Sequence, residues 1–161
     1  KELMSVDDIL HSLNTIYTLL NKPTTYFIFT ISPVRHLKDG FVENQLSKSL
    51  LTTAIHQFIK NKSNCRYFPA YEIMMDDLRD YRFYAPDMLH PNEQAINYIK
   101  QKFVEVFISD KDQQLILQVE KVLRDLQHKP FNENTNAYRK FKETVENDLR
   151  KLAESNIHLN L

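Results

Sequence analysis

Thr25 to Ile31 (TYFIFTI) is an unbroken run of β-branched and aromatic residues, without charge, proline or polar alternation, and amphipathic helical patterns flank it on both sides. A run of this kind suits a strand covered on both faces. Before it, Val6, Ile9, Leu10, Leu13, Ile16, Tyr17 and Leu20 recur at helical spacing behind Ser5, a good N-cap, with acidic Asp7 and Asp8 in the first turn. Asn21, Lys22 and Pro23 end that helix. After the run, Ser32 to Asn44 contains Pro33 and the only glycine, Gly40, and reads as a long loop. A second helix is predicted over residues 43–60, with Leu46, Leu50, Leu51, Ala54, Ile55, Phe58 and Ile59 on its apolar side. Residues 61–64 form a turn, and Cys65 to Phe68 give a short second strand stopped by Pro69.

The order helix, strand, helix, strand predicts parallel pairing through a right-handed crossover, the unit of an α/β fold. Sheets covered by helices average about five or six strands. Two strands therefore point to the C-terminal part of a larger α/β domain. Residues 71–91 read as an irregular stretch, long for a structureless connection and so a candidate functional segment. Helix resumes near residues 92–108, with Ile96, Ile99, Phe103 and Phe107 on one face. Two more helices follow at 112–128 and 135–155, parted by Pro130 into a hairpin. The expected division is residues 1–108 as the α/β part and 109–161 as a helical extension.

Lys plus Arg and Asp plus Glu number 21 each, so no global positive field draws the chain to nucleic acid. No apolar run reaches the roughly 20 residues of a membrane span and no signal peptide is visible; the native N-terminus is out of sight, so the location stays unassigned, with the cytoplasm favoured. Cys65 alone makes neither an internal disulfide nor a thiolate metal site, and it falls on a buried strand. No metal or organic cofactor is implied.

An Asp three residues before a His lets a carboxylate fix an imidazole's tautomer while the other ring nitrogen works as a base. The spacing occurs three times, as Asp8/His11, Asp87/His90 and Asp125/His128. The first and last lie within amphipathic helices, where the spacing gives an ordinary surface pair. Asp87/His90 lies between Ala85-Pro86 and Pro91, at a loop-to-helix junction with Pro91 suited to the first helical position. Its structural alternative is a histidine that caps the helix. Ser32-Pro33-Val34-Arg35-His36 begins where the first strand ends, the side on which open parallel sheets bind ligands. Arg35 is suited to clamping a carboxylate or acyl oxygen and His36 to binding or capping, unless both are solvated loop charges. Tyr81-Arg82-Phe83-Tyr84 is suited to lining a pocket or to packing on a missing half.

The stretch TISPVRHLKDGFVENQLSKS, followed by YFPAYEIMMDDLRDYRFYAPDMLHP, resembles the central and final motifs of the GSCFA family, a branch of the SGNH/GDSL-type hydrolases. The resemblance spans roughly residues 6–107. It implies the C-terminal part of a flavodoxin-like three-layer α/β/α domain with parallel strands, followed here by the helical hairpin. It also implies His90 as general base, Asp87 as its orienter, and Ser32-Pro33-Val34 as the strand-end motif beside the active site, next to which Arg35 and His36 are the substrate-binding candidates read from their position. The substrate class implied is an acylated small molecule or carbohydrate. The Gly-Ser-Cys-Phe-Ala motif that gives such proteins their nucleophilic serine and part of the oxyanion hole does not occur here.

The expectation is thus part of a serine esterase or O-acyl hydrolase that lends its Asp-His pair to a serine upstream of Lys1. Two alternatives stand beside it. One is a helical binding module, using a hairpin in which Leu115, Ile116, Val119, Val122, Leu123 and Leu126 face Phe141, Val145, Leu149 and Leu152. The other makes Ser32 the nucleophile, against which Pro33 lacks the backbone N–H that nucleophile turns use for the oxyanion. A two-strand sheet with open edges predicts self-association or recruitment of the upstream half.

Overall fold

The computed structural model describes residues 2–128, 130 and 135–155. The chain divides into two compact units, residues 1–103 and 104–161.

The first unit opens with α1 (Val6–Leu20), begun by a reciprocal cap. The Asp8 backbone N–H donates to Ser5 Oγ at 3.2 Å, and Ser5 N–H donates to the Asp8 carboxylate at 2.9 Å. Strand β1 (Phe27–Thr30) follows, then a 3₁₀ turn (Leu37–Asp39), α2 (Gly40–Ile59) and β2 (Cys65–Phe68). The strands pair in parallel, Phe27 opposite Cys65 and Thr30 opposite Phe68. Alternation along β1 sends Phe27 and Phe29 to one face. There Tyr17 of α1 lies 5.1 Å from the Phe27 ring, and Phe58 of α2 meets Phe29 edge-on at 5.6 Å. Phe68 points to the opposite face, where Phe103 packs edge-on at 5.1 Å. Asn64 ties the corner together: its side-chain amide donates to Asn21 Oδ1 and to the Thr25 carbonyl, its Oδ1 accepts from Tyr17, and its backbone carbonyl accepts from Phe27 N–H.

Three expectations change here. The TYFIFTI strand is not covered on both faces along its length, because Ile28 remains 43% exposed. Phe68 and Phe103 shield only one end of that second face. Helix α2 begins at Gly40 rather than residue 43, after the 3₁₀ turn. The stretch from residue 71 is not wholly irregular: α3 (Ala70–Asp76) forms there, held to β2 by the Tyr67 hydroxyl, which donates to the Glu72 carboxylate at 2.8 Å.

Beyond α3, a 3₁₀ turn (Tyr81–Phe83) leads to α4 (Glu93–Phe107). Met74, Leu78, Tyr84 and Ala95 form a buried cluster to which Ile73, Phe83 and Ile99 add their sides. Tyr84 and Ala95 of this cluster flank, along the chain, the segment holding Asp87 and His90. Among the described residues the sheet has two parallel strands, making a mixed α/β chain rather than a complete three-layer sheet.

The second unit contains α5 (Asp110–Leu126), capped by Ser109, and α6 (Asn136–Ser155). Val122, Val145 and Leu152 are buried in the hairpin, while Leu123 and Leu126 stay exposed. Lys121 pairs with Asp148 across the two helices at 2.7 Å. Among the described residues no helix is long and apolar enough to cross a membrane.

Candidate active site

Ala85 to Pro91 is a tight excursion closed at its base. Ala85 N–H donates to the His90 carbonyl at 2.8 Å, and Tyr84 and Pro91 form an antiparallel bridge. Met88 sits at its tip with φ of 62°, the left-handed region that non-glycine residues seldom enter. That turn folds the chain back so that Asp87 serves three donors. Its Oδ1 accepts from Leu89 N–H at 2.8 Å and His90 N–H at 3.0 Å, and its Oδ2 lies 2.6 Å from His90 Nδ1. These hydrogen bonds, the His90 amide's first, pull the Asp87 carboxyl down to about 2 from its ordinary 3.8. An ionised carboxylate only accepts, so the shared proton belongs to His90 Nδ1, which leaves Nε2 as the ring position able to take a proton. The His90 and Asp87 side chains are 58% and 46% exposed, so a reacting group can reach them.

His90 does not cap α4. Asn92 does so: its Oδ1 accepts from Ala95 N–H at 3.0 Å, and its amide donates to the Arg82 carbonyl. The helix therefore starts at Glu93 and Pro91 lies before the cap, not at the first helical position. Of the three Asp-His spacings, only Asp87/His90 closes into a ring-to-carboxylate contact among the described residues. Asp8 is taken by Ser5, and Asp125 lies 3.7 Å from Lys121 while the His128 ring packs near Phe141.

The loop after β1 joins the Asp87 segment through the backbone, Arg35 N–H donating to the Leu89 carbonyl at 3.3 Å. Ser32 Oγ accepts from Val34 N–H at 3.2 Å, a local turn, and makes no hydrogen bond with Asp87 or His90 among the described residues. Lys48 holds this turn from α2. Only 5% exposed, it donates from Nζ to the Ser32 carbonyl at 2.5 Å and lies 5.0 Å from the centre of the Tyr71 ring. Burial pushes its ammonium down from the ordinary lysine value. Nothing in local spacing announced Lys48, since its partner is 16 residues away. Arg35 and His36, adjacent in sequence, diverge. Arg35 donates from Nη2 to the Tyr84 hydroxyl at 3.0 Å and lines a cavity of about 240 Å³ with Met74, Leu78, Tyr81 and Tyr84. His36 lines a different cavity, with Asp39, Glu43 and Asn44. Among the described residues no cluster of three or more His, Cys, Asp or Glu is placed to hold a metal ion.

The model of the GSCFA family matches residues 1–103. The chain belongs to the GSCFA family. A second model, the GSCFA domain protein C-terminal domain, matches residues 119–161, so the helical hairpin, which the sequence motifs left unassigned, is similar to a recurring part of GSCFA proteins. No curated protein and no solved structure matches the chain. Within this GSCFA chain, the Asp87-Met88-Leu89-His90 turn and the Ser32-to-Arg35 turn adjoin, and both lie in the segment covered by the family match.

Proposed function

We propose that this chain provides the acid-base pair of a serine esterase or O-acyl hydrolase, and that the nucleophilic serine belongs to a segment upstream of Lys1 within the same three-layer SGNH-type domain. The observation that carries the reading is the Asp87-His90 contact of 2.6 Å, with Asp87 kept ionised by two backbone amides. In the reaction, His90 Nε2 takes the serine proton as the oxygen attacks the acyl carbon. The imidazolium so formed is balanced by Asp87 and then gives its proton to the departing alcohol oxygen. Water repeats the sequence on the acyl-enzyme, releasing the acid. Oxyanion donors come chiefly from the upstream segment, and the substrate is an acylated small molecule or carbohydrate.

Ser32 makes a poor nucleophile. Pro33 removes the N–H that would follow it, its carbonyl is held by Lys48, and its Oγ is engaged by Val34. The test is hydrolysis of p-nitrophenyl acetate by a longer polypeptide that includes the natural upstream sequence. His90→Ala is expected to lower kcat/KM by about 10³-fold or more, whereas the 161-residue chain should work no faster than its own His90→Ala variant. Robust turnover by the short chain, abolished by Ser32→Ala, would transfer the nucleophile role to Ser32.

A further inference from the structure

The Arg35 cavity has a composition that the Asp-His chemistry does not require. Its apolar floor is Met74, 1% exposed, with Leu78 and Met75. Two cations and one carboxylate border it, and their charges are not equally matched. Asp80 accepts from Arg82 through both its backbone N–H and its guanidinium, each at 2.9 Å. Arg79 is paired with Asp76 at 3.2 Å. Arg35, half-buried, has no carboxylate within ion-pair distance among the described residues; the side-chain partner of its guanidinium is the Tyr84 hydroxyl.

Tyr84 also orients that guanidinium, whose carbon lies 4.3 Å from the ring centre. A guanidinium has five N–H donors in a rigid plane, and the Tyr84 hydroxyl, having accepted one, keeps its own proton to donate. The pair is therefore a preorganised donor set for a planar acceptor of one negative charge. At about 240 Å³ the cavity falls below the roughly 300 Å³ at which drug-sized sites begin, so it fits a fragment-sized body. Two methionines, a leucine and a tyrosine make that body apolar or aromatic. The Arg35 backbone, bonded to the Leu89 carbonyl, ties this donor set to the turn bearing Asp87 and His90.

We propose that the cavity is a recognition site for a carboxylate carried on a small apolar or aromatic body, read by Arg35 and Tyr84. The proposal rests on the hydrolase reading only in making that carboxylate part of the substrate, so that the enzyme prefers acidic esters over neutral ones.

Binding tests it without catalysis. Phenylacetate and its neutral isostere phenylacetamide are titrated into the 161-residue chain and followed by amide chemical shifts. Phenylacetate is expected to bind with a millimolar Kd and to shift Arg35, Leu78 and Tyr84, with phenylacetamide at least ~10-fold weaker. Arg35→Gln should weaken phenylacetate ~10-fold, and Arg35→Lys, which keeps the charge but not the fork, several-fold. Arg66→Gln, removing an exposed cation elsewhere, should leave it within about twofold. Equal binding of acid and amide, or a Kd indifferent to both Arg35 variants, overturns the proposal. Loss of phenylacetate binding beside intact His90-dependent hydrolysis in the longer polypeptide overturns this site alone; intact binding without such hydrolysis overturns the hydrolase reading alone.

Discussion

Asp87 gathers three hydrogen bonds while its side chain stays nearly half exposed, so its charge is held by geometry rather than by burial. The consequence can be measured directly: its carboxyl carbon should titrate with a midpoint at about 2, against 3.8 ordinarily. Because the folded value is the lower one, the turn's contribution to stability is fully present above 3.8 and is lost as the pH falls towards 2. A midpoint near the ordinary value would mean that the turn is open in solution. Asp87→Asn can still accept from the two amides but no longer fixes the His90 tautomer, so under the proposed hydrolase reading kcat of the longer polypeptide should drop about 10³- to 10⁴-fold with little change in folding. A loss below tenfold would remove Asp87 from the mechanism. This pair was legible in the sequence because Pro86 and Pro91 bracket it, which set it apart from the helical Asp8/His11 and Asp125/His128. The capping role of Asn92 and the grip of Lys48 on Ser32 were not, since each depends on where the chain turns in space.

Among the elements, the long periodic helices and the strand stopped by Pro69 were legible, whereas α3 and the start of α2 were not. α1 and α4 differ from the sequence reading by a residue or so at each end, and β2 falls on residues 65–68 as expected. α2 starts early because its first residue, Gly40, reads as a breaker; in fact Gly40 adopts φ 84° and ψ 171°, a conformation open essentially to glycine alone. An added Cβ would also sit 2.9 Å from Glu43 Oε2, a flexible side-chain end, so the backbone conformation is the larger obstacle. Gly40→Ala should therefore cost about 1–3 kcal/mol in urea unfolding. A neutral result would show that the turn before α2 relaxes. α3 escaped notice because seven residues hold too few periods to stand out, although Ala70, Ile73 and Met74 carry its apolar side. At the β1/β2 corner, Asn64→Ala removes the side-chain bonds to Asn21, Thr25 and Tyr17 and is expected to cost about 1–3 kcal/mol. If the change is negligible, that network does not hold the corner.

Over the molecule as a whole, the first unit leaves large apolar side chains in solvent: Leu19 is 75% exposed, Phe41 80% and Ile28 43%. Scattered exposure is common, but Ile28 lies on a strand of a sheet that has two strands among the described residues, and sheet edges are templates for further pairing. Light scattering should show the 161-residue chain gaining mass with concentration, and the gain should vanish when the upstream sequence is joined to it. A stable monomer at every concentration would undercut the half-domain reading. The two strands were legible in the sequence pattern, while the extent of the exposed apolar surface required the fold. The central claim, a base on this chain serving a serine outside it, is tested most directly by treating the longer polypeptide with a fluorophosphonate and locating the modified residue by mass spectrometry. The account predicts one labelled serine upstream of Lys1, with labelling slowed about 10³-fold or more by His90→Ala; a label on Ser32, or labelling indifferent to His90, would contradict it.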